Sequence, residues 1–354
     1  MIRVFEAFAG YGSQSLALKR LKENYKNFDY SIVGYSEIEE NAINIYNKLH
    51  SEESPKNYGD ISKVNWKDVE DFDLFTYSFP CTDISFCGAS KGFKKGSGTR
   101  SSLLWECERA ITEKRPKYLL MENVAALLSK RYINDYKQWL KILDNLGYVT
   151  YTSILNAKDY GIPQSRKRAF SVSILKENEN DYPQYVFPFK VKKRNIVDFL
   201  DTNVDEKYYV NPNRYGFDDV KDYIPTEIKK MYVKNTDKDG NVSCIRASYF
   251  KQGVANFLNH DNDGYKACCV IVAGNKGVLG KRMIEKGYKI PQEFANELIN
   301  VRKLTPTETS RLMGLKDDEI KEFFSIADSH IYKLNGNSIV VDVLYYIFKN
   351  LFVK

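Results

Sequence analysis

A thiol, a carboxylate and a pair of guanidiniums stand where short apolar runs of this chain end. Cys81 closes the string Ser78-Phe79-Pro80-Cys81, and a cysteine delivered to the edge of a sheet could act as a nucleophile. A free thiol, with a pKa of about 8.5, is only a few per cent ionised at neutral pH, yet its thiolate is intrinsically reactive. Taken alone, Cys81 fits buried filler as well, since free cysteine is among the most buried residue types. The residues after it tilt the balance. Gly88, Gly92, Gly96 and Gly98 punctuate a polar, basic stretch up to Arg100, too polar for core and supple enough to close over a substrate. Glu122 follows the apolar Leu119, Leu120 and Met121, so burial is expected to keep it a proton donor near neutral pH. In Gln164-Ser165-Arg166-Lys167-Arg168, the arginines lie two residues apart and are expected on one side of an extended chain. A helix cap for Glu122, or plain surface positions for the arginines, would explain each of these in isolation.

Up to about residue 175, short apolar runs alternate with helical segments, the pattern of a parallel sheet wrapped by helices. Strands are expected at Arg3 to Phe8, Tyr30 to Ser36, Asp73 to Ser78, Lys117 to Met121, Tyr148 to Leu155 and Arg168 to Leu175. Helices are expected at Ser13 to Leu21, Asn41 to Leu49, Ser101 to Lys114 and Asp135 to Leu146, the last stopped by Gly147. The first strand runs into Phe8-Ala9-Gly10-Tyr11-Gly12-Ser13, whose glycines let the backbone approach a ligand at the start of the next helix. A dinucleotide fold would want a third glycine where Ser15 stands, which counts against NAD or FAD. Glu37 closes the second strand, where a carboxylate can accept both ribose hydroxyls of a nucleoside, and Asp60 could accept an adenine amino group. Singly, either acid is as well explained by a cap or a surface charge.

After Leu175 the rhythm breaks into prolines, Asn, Asp and Lys runs, and glycine tracts such as Gly274-Asn275-Lys276-Gly277. Regularity returns at Thr307 to Met313, and Ser338 to Phe348 is apolar enough to pack back on the first domain. The expected architecture is α/β: a doubly wound, Rossmann-like domain with a smaller irregular one inserted before its last elements.

With 354 residues, 43% of them hydrophobic, the chain can bury a full core. Arg3 and Glu6 interrupt the early apolar run and no stretch approaches a membrane span, so a cytoplasmic protein without membrane contact is expected. Six cysteines form no CxxC pair and three histidines complete no zinc pattern, so free thiols and no metal are expected. A net charge of +7 permits a polyanionic partner. Basic groups collect at Lys91, Lys94, Lys95 and Arg100, at Lys190 to Arg194, and at Lys276, Lys281, Arg282, Lys286 and Lys289. Solvated surface explains any one cluster as readily as phosphate binding.

In chain order, FAGYG, SFPC, MENV, QSRKR, RKLTPTETSRLMG and GNSIVVDVL resemble the DNA (cytosine-5-)-methyltransferases of bacteria and phages, over residues 1 to 175 and 302 to 345. The resemblance implies an S-adenosylmethionine-dependent catalytic domain over residues 1–185, a target-recognition domain over 186–300, a hinge and support segment over 301–330 and a return to the catalytic domain over 331–354. It implies a cofactor site formed by Phe8, Ala9, Gly10, Tyr11, Gly12, Glu37, Ile38, Asp60, Ile61, Pro80, Asn337 and Ser338. Cys81 would be the nucleophile, Glu122 and Arg168 would hold an extruded cytosine, and Arg166 would help order the pocket. Arg302, Thr305, Pro306 and Arg311 would support the recognition domain. DNA contacts are expected from Ser85, Lys91, Lys94, Arg100, Arg246, Tyr249, Asn275, Lys276 and Lys281. Thr82 departs from the Gln that many members carry after the cysteine.

The implied activity is methyl transfer from S-adenosylmethionine to carbon 5 of a cytosine in a short specific sequence of double-stranded DNA, leaving S-adenosylhomocysteine. The protein is expected to act as a monomer, and a cognate restriction endonuclease is a compatible partner. The tract Lys95 to Glu106 is similar to CG-specific bacterial members. Two alternatives are a transfer-RNA cytosine-5 methyltransferase and a catalytically inactive DNA-binding regulator on the same fold. The long irregular segment before Arg302 favours a duplex reader. Retention of Cys81, Glu122 and Arg168 together speaks against an inactive regulator, and the absence of a DPPY or NPPY string speaks against amino-methylation.

Overall fold

The computed structural model describes residues 1–52, 55–80, 100–191, 193–211, 213, 217, 228–234, 238–251, 268–288, 290 and 292–353. They divide into two compact units: Met1–Tyr160 with Lys167–Val191 and Ser338–Lys354, and Gly161–Arg166 with Lys192–Asn337.

In the first unit, strands β1 (Ile2–Ala7), β2 (Tyr30–Ser36), β3 (Leu74–Tyr77), β4 (Tyr118–Val124), β5 (Tyr148–Asn156) and β7 (Lys167–Leu175) form one sheet in the order β2-β1-β3-β4-β7-β5. β1 to β4 pair in parallel, whereas β7 runs antiparallel between β4 and β5. The parallel pairing of β1 to β4 is the pattern expected of the doubly wound domain, and the reversed β7 is an addition to it. Between Asn156 and Lys167 the chain is shorter than the dozen or more residues of a parallel crossover, so the last strand returns reversed. The reversal brings the start of β7 to the edge where β1 to β4 end, with Arg168 opposite Val124.

Alternation along the strands sends side chains to two helical layers. Phe5, Ala7, Phe75, Tyr77, Leu119 and Met121 face the layer of helices α3 (Leu104–Lys114) and α4 (Ile133–Asn145), meeting Cys107, Ala110, Ile111, Tyr136, Trp139 and Leu143. On the opposite face, Glu6 accepts a hydrogen bond from Ser15 of helix α1 (Ser13–Asn24), and Tyr118 stacks edge-on against Phe352 of the final helix Val341–Phe352. Phe5 sits among Trp66, Phe72 and Phe75 with ring centroids 5.1 to 6.1 Å apart, all fully or almost fully buried. Each such side chain contributes roughly 1.5–3 kcal/mol by leaving water. No described helix is long and apolar enough to cross a membrane.

In the second unit, β8 (Ile228–Lys234), β10 (Cys269–Leu279) and β11 (Leu298–Lys303) form an antiparallel sheet in the order β11-β10-β8, while β6 (Gln164–Ser165) and β9 (Val242–Ser243) pair in parallel. Its core holds a bidentate ion pair: Arg302 of β11 donates to both carboxylate oxygens of Glu308 at 2.8 and 2.7 Å, and both side chains are fully buried. Glu308 is also the third residue of the helix Pro306–Arg311, where it accepts from the Thr305 N–H while Thr305 Oγ1 accepts from its own N–H, a capping box. Arg302 further donates to the Asp201 carbonyl, and Arg311 donates to Asp201 Oδ1 at 2.6 Å. Removing one member strands a charge where water cannot reach it. Glu308→Ala should therefore destabilise the second unit by roughly 3–5 kcal/mol in urea unfolding, whereas the double replacement Arg302→Met/Glu308→Leu should cost much less.

Candidate active site

The loop after β1 is set by three left-handed residues, Phe8 (φ 56°), Gly10 (φ 58°) and Gly12 (φ 82°), and it delivers the amino end of α1. A side chain at Gly10 would meet nothing within 4 Å, so space lies open over its backbone. Gly12 is different, because a Cβ there would lie 2.3 Å from His50 Nε2 and 2.8 Å from the Tyr46 ring. Ala9 and Tyr11 are buried and shape the loop from beneath.

Glu37 follows β2 and bends back over this loop. Its Oε2 accepts the Gly10 N–H at 2.9 Å, and its Oε1 accepts the N–H groups of Ile38 and Glu39 at 2.8 and 2.9 Å. A carboxylate offers about four acceptor sites, so Oε2 keeps capacity for a hydroxyl. Asn57 fixes the backbone of Glu37 from both sides, accepting its N–H and donating to its carbonyl. Asp60 caps the short turn Ile61–Lys63, and the Ser62 hydroxyl, then the Ser62 N–H, hold its carboxyl below the usual carboxylate range. Ile38 is 71% exposed beside Glu37, whereas Ile61 lies in the core. Ser338 shares a 2.6 Å hydrogen bond with Ser13 at the start of α1.

Two strand ends away, the residues before Cys81 are tied down. Asn123 donates to the Phe79 carbonyl at 2.9 Å while its own oxygen accepts the Val124 N–H, and Ser101 donates to the Pro80 carbonyl at 2.6 Å. Asn123 and Ser101 are buried. Cys81 itself, with Ser85, Lys91 and Lys94, lies outside the described residues. Beside this segment Glu122 Oε1 stands 3.2 Å from Arg168 Nε, both side chains mostly buried. The carboxyl group and the guanidinium thus face each other beside the tied Phe79-Pro80 backbone. Parallel pairing thus places the Gly10 loop, Glu37, Phe79-Pro80 and Glu122 on one edge, the carboxyl edge where open α/β sheets bind ligands.

Residues 2–353 match the family model described as C-5 cytosine-specific DNA methylase. The chain belongs to that family. It is 34% identical to the type II methyltransferase M2.ScrFI of Lactococcus lactis subsp. cremoris over 99% of both chains. It is also 29% identical to the orphan methyltransferase M.SssI of Spiroplasma monobiae, over 97% of this chain and 95% of that one. In fold the methylase is similar to Entamoeba histolytica EhMeth (TM-score 0.68, 22% identity, 99% and 98% of the two chains). The S. pombe Dnmt2 methyltransferase is nearly as close, with a TM-score of 0.66, 22% identity and coverage of 99% and 97%.

Other expected site residues of the methylase fall in several environments. Arg166 lies between β6 and β7, and Arg168 is the second residue of β7. Arg166 is buried and donates to the carbonyls of Ile245 and Gly336, both at 2.9 Å, holding the residue before Asn337. Asn337 is the exposed last residue of the helix Asp328–Asn337. Tyr249 is fully buried, donates to the Cys268 carbonyl at 2.6 Å and accepts the Leu304 N–H. Its hydroxyl closes two backbone gaps in the core, which corrects its expected role as a groove contact. Arg246 is half-buried, and Lys281 is exposed in the helix Gly280–Glu285 with Glu285 4.0 Å away. Asn275 and Lys276 fall within β10, and Arg100 opens the turn Arg100–Leu103, with their side chains outside the description. Sequence reasoning missed Asn57, Ser101, Asn123 and His50. Only Asn123 carried a signal, as a member of the MENV string.

His50 gives the loop after β1 a pH signature. Its ring lies 4.5 Å from that of Tyr46 and its Nε2 is 3.3 Å from the Tyr11 carbonyl, and burial lowers its pKa to about 4. The unfolded chain therefore binds a proton near pH 6.5 that the folded chain refuses until about pH 4. Stability from this group is complete above pH 6.5 and falls as pH drops, by about 3 kcal/mol at pH 4. Urea unfolding at pH 7 and pH 4.5 should show a smaller acid loss in His50→Gln than in the wild type.

Proposed function

We propose that this methylase moves the methyl group of S-adenosylmethionine to carbon 5 of a cytosine drawn out of double-stranded DNA at a short specific sequence. Cys81 forms the covalent bond, at carbon 6. The observation that carries the reading is the arrangement of one sheet edge, where the Glu37 carboxylate braces the Gly10 loop and the Glu122–Arg168 pair flanks the tied Phe79-Pro80 segment.

The donor set fits the cofactor. Glu37 accepts from the ribose hydroxyls, Asp60 from the adenine amino group, and the exposed Ile38 side chain covers apolar ring surface. The open backbone at Gly10, with Phe8, Gly12, Pro80 and Ser338, lines the remainder. When bound, S-adenosylmethionine supplies an electrophilic methyl group.

Carbon 5 of cytosine is a weak nucleophile in an electron-poor ring. The Cys81 thiolate adds to carbon 6, and the ring electrons shift so that carbon 5 becomes enamine-like and takes the methyl group. Transfer of the carbon 5 proton to water then re-forms the ring double bond as the carbon–sulfur bond breaks and the electron pair returns to the Cys81 thiolate. Arg168 donates to the ring carbonyl, and Glu122 shares a proton with ring nitrogen 3, so the pair offsets the charge that addition creates. The Asn123 and Ser101 hydrogen bonds fix the backbone leading to Cys81 against recoil. Extrusion of the base costs a few kcal/mol, met in part by phosphate contacts from groups such as Arg100 and Lys281. The type II relatives support a place in restriction and modification, and our reading is of a cytoplasmic monomer for which a cognate endonuclease is a compatible partner. A transfer-RNA substrate is not favoured, since the likeness to the S. pombe Dnmt2 structure carries the fold alone.

Cys81→Ala should abolish methyl transfer to DNA while leaving S-adenosylhomocysteine binding intact. A duplex with 5-fluorocytosine at the target should leave a covalent adduct in intact-mass spectra of the wild type and none in the variant. Turnover by the variant at the wild-type rate would refute the assignment, and bisulfite sequencing of expressing cells should reveal the target sequence.

A further inference from the structure

We infer that Arg109 is a positioning residue for the purine ring of the cofactor, acting by clamping the turn that Asp60 begins. The inference rests on the assignment of Asp60 to the adenine amino group.

Asp60 spends one carboxylate oxygen on its own turn, where Oδ1 accepts from the Ser62 N–H at 3.0 Å and the Ser62 hydroxyl at 2.8 Å. Its Oδ2 points outward, with Lys63 3.9 Å away and mostly exposed. The aim of Oδ2 is therefore the aim of the whole turn Ile61–Lys63. A three-residue turn has few internal hydrogen bonds, here the Lys63 N–H to the Asp60 carbonyl at 2.9 Å and the Val64 N–H to the Ile61 carbonyl at 3.4 Å. Arg109, from α3, adds to them. Its Nη1 donates to the Val64 carbonyl at 2.6 Å, and its Nη2 donates to the carbonyls of Ile61 at 3.0 Å and Ser62 at 3.3 Å.

Glu106, one helical turn earlier, holds the guanidinium in plane, its Oε2 accepting from Nε and Nη2 at 3.2 Å each. Ile61, buried in the core, anchors the turn from below. A rigid fork reaching three carbonyls has no equivalent in the single ammonium of lysine. The same helix is entered through Ser101, which holds the Pro80 carbonyl. One rigid element thus sets both the purine end and the approach to Cys81.

The test compares dissociation constants of the full chain for S-adenosylhomocysteine and for its analogue lacking the purine 6-amino group, by isothermal titration calorimetry. The wild type should prefer the amino-bearing ligand roughly tenfold, and Asp60→Ala should bring that ratio close to one. Arg109→Met should lose most of the ratio as well, while its affinity for the deaminated analogue and its penalty for a 2′-deoxyribose ligand stay near wild type. Arg109→Lys should show a reduced ratio, and decides the matter if Arg109→Met binds neither ligand. A wild-type ratio in the deciding Arg109 variant overturns the inference. A wild-type ratio in Asp60→Ala instead removes the adenine assignment beneath it, and the inference with it.

Discussion

Parallel pairing is the constraint on which the rest of the first unit depends. Strands that run the same way must end on the same side, so the groups following β1, β2 and β3 and those closing β4 meet along one edge whatever the helices between them do. The reversed strand completes the set, because only an antiparallel β7 begins at that edge, with Arg168 paired to Val124 and its side chain 3.2 Å from that of Glu122. Two charges that would be costly to bury singly are buried as a pair. The loop after β1 obeys the same geometry: Glu37 reaches Gly10 because β1 and β2 end side by side.

Much of this was legible in the sequence, for identifiable reasons. Short apolar runs between amphipathic segments gave β3 and β4 within a few residues, since burial on both faces leaves a near-continuous apolar signature. The direction of β7 was not legible, because a strand reads alike forwards and backwards and only the length of the preceding connection carries the sense. Partners far apart in sequence were also hidden. Asn57 fixes Glu37 across twenty positions, and no local pattern links an asparagine in a polar turn to an acid at a strand end. Tyr249 misled in the opposite way: an aromatic residue in an irregular stretch suits a groove, but its hydroxyl serves the core.

The second unit shows how an irregular sequence can still specify one structure. Its weak periodicity is offset by polar interactions of unusual density around Asp201, Arg302, Glu308 and Arg311. The fully buried charge at Glu308 caps a helix and neutralises Arg302 at once. Such a network is worth little as raw stability but tolerates few alternative packings, so it selects register where hydrophobic patterning does not.

The two glycines of the loop after β1 obey different rules of replacement. At Gly10 the obstacle is torsional alone, since φ is left-handed but space is open, and asparagine or aspartate, which visit that region at modest cost, belong to its admissible alphabet. At Gly12 the walls formed by His50 and Tyr46 admit no side chain. Its alphabet has one letter unless the aromatic neighbours shrink in the same step, so positions 12, 46 and 50 must drift together while position 10 drifts alone.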